Sequence, residues 1–146
     1  MRKIIAGNWK MNGKLENLLE IKKISNEFAQ SKIEIIICPP FTLLSAAREL
    51  AKNVYIGAQN LHPENEGAFT GEISANMLVD LGITHSIIGH SERRNKHNET
   101  NEIVARKVKI SLEKKLPTII CIGETELQRK ENSTLEILEQ QLLDSL

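Results

Sequence analysis

The chain has 146 residues, 40% hydrophobic and 26% charged, which is the size and make-up of one domain with a real core. Lysine plus arginine and aspartate plus glutamate both number 19, so the formal net charge is zero, which excludes the basic footprint of a nucleic-acid binder. Aromatics are only 3%, and the two cysteines, Cys38 and Cys121, stand apart with no C-x-x-C, which argues against stacking platforms, metal sites and redox motifs.

Met1-Arg2-Lys3 leads into only Ile4-Ile5-Ala6 before Gly7, too short for the apolar centre of a secretory leader. No apolar run approaches the ~20 residues of a membrane span. A reducing, cytoplasmic location with no membrane partner is therefore expected.

In chain order, the first β-branched run is residues 3–8 (KIIAGN). Leu18, Ile21, Ile24 and Phe28 then recur at helical spacing. A second run, residues 33–38 (IEIIIC), ends at Pro39-Pro40, and Thr42 is placed to cap a helix over residues 43–50. The third run is residues 54–59 (VYIGAQ). A polar connection from Asn60 to Gly71 follows, of a length that usually marks a functional or interaction loop. Ile73, Met77 and Leu81 give the next helical stripe, and residues 86–90 (SIIGH) the fourth run. Val104, Val108 and Leu112, the run 118–123 (TIICIG), and Leu135, Leu138, Leu142 and Leu146 complete the pattern. Apolar runs without strict alternation suit strands buried on both faces. Their alternation with helices predicts repeated βαβ units and a parallel sheet, recurring every ~21–32 residues as in a barrel or a doubly wound fold.

Polar residues collect where these strands end: Asn8 and Lys10, Gln59 and Asn60, His90, Ser91 and Glu92, then Gly123 and Glu124. In parallel α/β folds those ends share one rim, where ligands bind. Lys10 suits an anionic substrate. His90 precedes a helix-like segment, whose free N–H groups favour a neutral imidazole able to donate to a carbonyl oxygen. Asn8 could polarise the same group, and Glu92 could orient Lys10 or move a proton. Other polar residues have plainer readings. Ser91 reads as a helix cap and Arg93 and Arg94 as solvated or ion-paired. Cys38 and Cys121 read as small buried hydrophobes, Trp9 as packing, and Gly7, Gly89 and Gly123 as relief of crowding. His62, His85 and His97 read as ordinary surface or loop residues.

Four segments, in order, resemble the triosephosphate isomerase family. They are Gly7-Asn8-Trp9-Lys10-Met11-Asn12-Gly13, Gly57-Ala58-Gln59-Asn60 with Gly67-Ala68-Phe69-Thr70-Gly71-Glu72, Ile88-Gly89-His90-Ser91-Glu92-Arg93-Arg94, and Cys121-Ile122-Gly123-Glu124. The resemblance implies an α/β chain with the (β/α)8 TIM barrel fold and cofactor-free, metal-free interconversion of dihydroxyacetone phosphate and glyceraldehyde 3-phosphate, a step of glycolysis and gluconeogenesis. The family's known design pairs a glutamate base with a neutral histidine electrophile and a closing loop. By resemblance His90 is that electrophile, Glu92 supports the site, and Asn8 and Lys10 hold substrate. Thr70 and Glu72 belong to a loop that enters a neighbouring subunit and meets residues like Asn8 and Arg93.

A full barrel takes about 250 residues, so the resemblance implies a truncated, partial barrel. Five parallel strands with their helices would form a single domain over residues 1–146. The family's base and lid follow its sixth strand, and its phosphate cradle follows the seventh and eighth. Without them His90 and Glu92 would be vestigial, with little or no isomerase activity from this chain alone. The first and fifth strands would present open edges. A homo-oligomer, dimer or tetramer, joined through the Asn60 to Gly71 loop and those edges is expected. Two alternatives stand beside it: half of a split isomerase completed by another chain, or a non-catalytic oligomeric scaffold for a triose phosphate or other small anion.

Overall fold

The computed structural model describes residues 3–146. Each predicted run forms a strand: β1 Ile4–Asn8, β2 Glu34–Cys38, β3 Tyr55–Ala58, β4 His85–Ile88 and β5 Thr118–Ile120. All pair in parallel, in the order β1-β2-β3-β4-β5. The five-stranded sheet curls into part of a TIM barrel, with helices on its outer face. The helices are α1 Leu18–Glu27, α2 Leu44–Leu50, α3 Ala75–Asp80, α4 Ser91–Lys96, α5 Asn101–Glu113, α6 Glu126–Lys130 and α7 Thr134–Asp144.

Strand alternation sorts the core into two layers. Ile37, Ile56 and Ile88 pack outward against Leu18, Ile21, Leu44, Ala47, Leu78, Val104 and Val108 of the helices. Ile36, Cys38 and Ile87 form a smaller cluster on the concave face, with Ile119 and Cys121 against it. Each fully buried aliphatic side chain contributes about 1.5–3 kcal/mol, so the helix-side layer dominates stability. Burial pushes the Cys38 thiol up to about 12 and raises that of Cys121. Cys38 is the buried packing group expected, whereas Cys121 is only half-buried.

The outer strand β1 differs from its neighbour. Ile4 and Ile5 remain 55% and 57% exposed, although their sequence is as apolar as that of β2. Among the described residues β2 alone pairs with β1, so the expected open edge is present there. Among the described residues no helix is long and apolar enough to cross a membrane.

Several local expectations are corrected. Thr42 does not cap α2. Leu43 N–H already bonds the Pro40 carbonyl at 2.9 Å, so Thr42 lies inside the single turn Phe41–Leu43 and α2 begins without a side-chain cap. Ser74 caps α3, which buries Ala75 and Leu78 and leaves Met77 and Leu81 exposed. In α5, Lys107 and Ser111 are buried beside Val104 and Val108 while Leu112 faces solvent. Helix α7 has no buried residue, and Leu135, Leu142 and Leu146 stand exposed. His85 belongs to β4, where it meets Glu34 at 3.5 Å and the Tyr55 ring edge-on.

Gly89 ends β4 with φ +72°, and a Cβ there would come within 3.2 Å of Arg94, the Cys121 carbonyl and Val104. Gly7 and Gly123 meet no such crowding. Left-handed strain and overpacking together make Gly89→Ala destabilising by about 2–4 kcal/mol. Urea denaturation would show this as a lower midpoint, and an unchanged midpoint would refute it.

Candidate active site

The strand ends converge as the rim argument requires. Asn8, Lys10, Gln59, His90, Glu92 and Arg93 line one cleft of about 660 Å³ at the carboxyl edge of the sheet, within the range of small-molecule sites. Lys10, Arg93 and Lys96 face it, against Glu92 as the one carboxylate among its described lining residues. That balance suits an anion.

Lys10 is held in an unusual conformation, with φ +54°, a left-handed geometry that a side-chain-bearing residue adopts at a cost of about 1–3 kcal/mol. Three bonds secure it. Its N–H donates to Asn8 Oδ1 at 2.8 Å, its carbonyl accepts from Gln59 Nε2 at 2.9 Å, and its ammonium donates to Glu92 Oε1 at 2.8 Å. Gln59 also donates to the Cys38 carbonyl at 2.8 Å, tying the exits of β1 and β2 together. Asn8 thus shapes the loop that carries Lys10. The hydrogen bond and charge of Lys10 hold the Glu92 carboxyl below its ordinary range.

His90 itself caps α4, a place the sequence reading gave to Ser91. The Glu92 N–H donates to His90 Nδ1 at 3.2 Å, and Ser91 is the first helical residue. A ring nitrogen that accepts carries no proton, so this geometry belongs to the neutral imidazole with its proton on Nε2. The Glu92 carboxylate lies 3.6 Å from the same Nδ1, beyond hydrogen-bond reach. A backbone donor thus holds the His90 ring in one tautomer.

Behind the cleft lies a charged group that the sequence reading missed. Glu99 and Lys107 are 6% and 3% exposed. Glu99 Oε1 accepts from both Arg93 Nε and Lys107 Nζ at 2.5 Å, and Lys107 also donates to Asn60 Oδ1 at 2.7 Å. Burial alone would raise the Glu99 carboxyl, but the two cations on one oxygen hold it below the ordinary carboxylate range. The signal was legible: Lys107 follows Val104 by three residues, on the face that packs inward. Thr70 and Glu72 are exposed on the loop after β3, away from the cleft. Arg93 is engaged by Glu99 of its own chain. Glu124 bonds Arg129 and Thr134 outside the cleft.

The triosephosphate isomerase family model matches residues 3–146. The chain belongs to the triosephosphate isomerase family. It is 47% identical over 147 residues to the triosephosphate isomerase of Alkaliphilus oremlandii, covering 98% of this chain and 59% of that relative. With the Clostridium botulinum protein of the same name the identity is 46% over 142 residues, covering 95% and 57%. The crystal structure of triosephosphate isomerase from Bartonella henselae matches with a TM-score of 0.96 at 44% identity, covering 100% of this chain and 62% of that one. The chain thus spans about 59% of the length of its curated relatives.

Lys107→Met would leave the buried Glu99 carboxylate with Arg93 alone. Breaking one partner of such a group typically costs about 3–5 kcal/mol. Chemical denaturation is expected to show that loss, and to show part of it recovered when Glu99→Gln is added. A Lys107→Met chain as stable as the parent would contradict the assignment.

Proposed function

We propose that this chain carries the electrophile and cation side of a triose phosphate isomerase site, and that these 146 residues alone turn over little or no substrate. The observation that carries the first half is His90, held with Nδ1 as acceptor in the same cleft as the Lys10 ammonium. In the family reaction a base removes a proton from the carbon beside a carbonyl while the histidine donates to the carbonyl oxygen. Here the Nε2 proton would serve the oxygen, and Lys10 would hold the phosphate-bearing substrate.

The second half rests on Glu92. It is the carboxylate that the cleft offers, and it is ion-paired to Lys10 with its proton affinity lowered. A general base works best near the operating pH, and losing one costs about 10²–10⁴-fold in rate. Glu92 thus stabilises Lys10 and is a poor acceptor for a carbon-bound proton. A coupled isomerase assay on protein of verified mass is expected to stay at background. Turnover abolished by His90→Gln would overturn this reading. Inorganic phosphate is expected to raise the melting temperature of the parent chain and not of Lys10→Met.

The bare β1 edge, with Ile4 and Ile5 in solvent, favours covering by other strands, from a further chain that completes a split isomerase or from a second copy. For the chain by itself we propose self-association into a dimer or tetramer, through that edge and the loop bearing Thr70 and Glu72. A cytoplasmic location goes with this reading. Light scattering on the purified chain is expected to give a mass of at least two copies, and a well-folded monomer would refute self-association.

A further inference from the structure

Helix α7 buries no residue fully, and its apolar Ile137 and Leu138 are only half-buried, so apolar packing gives a weak hold. Two polar fastenings add to it. The Gly123 N–H donates to Gln141 Oε1 at 2.8 Å, and Gln141 Nε2 returns a bond to the Gly123 carbonyl at 3.0 Å. Near the end of the helix, Asp144 accepts from Asn101 Nδ2 at 2.9 Å. Asn101 Oδ1 accepts from Arg94 Nη1 at 2.6 Å, and Arg94 Nε donates to the Gly89 carbonyl at 2.8 Å. The Asn101 amide fits this chain one way round. Turned over, it would set its NH₂ against the guanidinium and its oxygen against the carboxylate. From Arg94 to Asp144 the two bonds therefore run in one donor direction, cation to amide to anion, an arrangement in which neighbouring bonds reinforce one another, while Arg94 Nε donates separately to the Gly89 carbonyl.

This chain reaches the peptide that carries His90. The Gly89 carbonyl and the His90 N–H lie in one planar unit. Holding the oxygen restrains that plane, which carries the His90 Cα; together with the His90 φ of −55° the plane sets the direction in which the side chain leaves the backbone. The restraint matters at this position because Gly89, at φ +72°, has the widest backbone freedom of any residue type. The bond from Glu92 N–H to His90 Nδ1 closes only if the ring starts in the right direction.

We propose that Arg94 is a positioning residue for His90, and that Asn101 and Asp144 transmit the docking of α7 to it. Arg94 does not line the cleft, so it acts through Gly89. The use of His90 as an electrophile rests on the reading above, whereas its orientation does not.

The test reads the imidazole nitrogens of the ¹⁵N-labelled chain by long-range ¹H–¹⁵N correlation NMR. In the parent, His90 Nδ1 is expected at the position of an acceptor nitrogen and Nε2 at that of a protonated one. Asp144→Ala alters an exposed side chain far from the cleft. It is expected to shift both His90 nitrogens toward the average of two exchanging tautomers, with His62 and His97 unmoved. Arg94→Met should shift them further, and Arg94→Lys, which keeps the charge and loses the fork, should restore only part. His90 signals unchanged in Asp144→Ala and in a folded Arg94→Met would overturn the proposal. So would equal movement of all four histidines, which would mark general loosening. Because the readout is not turnover, an inactive chain leaves it intact.

Discussion

Parallel pairing in chain order is the constraint on which the rest of this structure depends. A parallel neighbour can be reached only by crossing back over the sheet, so each strand starts at one rim and ends at the other. Asn8, Gln59 and His90 come from three separate strand exits, yet they share one cleft for that reason. The same ordering decides what is buried. Ile36 and Ile37 on β2 are closed over by strands on both sides, whereas Ile4 and Ile5 on β1 are not. The two runs are nearly equal in apolar content, so the difference between β1 and β2 comes from position in the sheet and not from sequence.

Two kinds of force divide the work. Apolar packing fixes the sheet against α1, α2, α3 and α5, and its non-directional character tolerates small shifts. Site geometry needs direction, and the rim supplies it with hydrogen bonds. Lys10 keeps its left-handed backbone through Asn8, Gln59 and Glu92. His90 keeps its tautomer through the Glu92 N–H. Glu92 serves both neighbours at once, its backbone holding the histidine and its carboxylate the lysine. That double duty explains why the carboxylate is a weak base: the charge it would use to take a proton is already spent on an ammonium.

The sequence was most informative where periodicity and strand ends coincide. All five strands and the rim cluster of Asn8, Lys10, His90 and Glu92 follow from β-branched runs that end in polar residues. Resemblance added the family and the roles. Helix faces were less legible. In α3 Ala75 and Leu78 face inward, so of the Ile73, Met77 and Leu81 stripe only Ile73, ahead of the helix, packs on the core, and Leu135 and Leu142 of α7 stand exposed. Caps failed where a side chain and the backbone competed: the Pro40 turn displaced Thr42, and His90 displaced Ser91. The buried charges escaped notice although Glu99 lies only six and eight residues from Arg93 and Lys107, because charged residues at such spacings usually face solvent; Lys107 on the inward face beside Val104 was the legible sign, and its bond to Asn60 across the fold was not.

That buried group shows why polar atoms sit where hydrophobes would be cheaper. An ion pair in the interior adds little net stability over a well-packed apolar set. It does, however, reject most alternative placements, since a displaced partner leaves a bare charge. Glu99 joins α5, through Lys107, to Arg93 on α4, and Lys107 reaches Asn60 at the exit of β3. Arg93 and Asn60 are walls of the cleft. The packing of α5 against the sheet is thereby converted into a fixed separation between two sides of the site. A hydrophobic replacement would keep α5 docked but would let those walls drift, so the network is better understood as a spacer than as a source of stability.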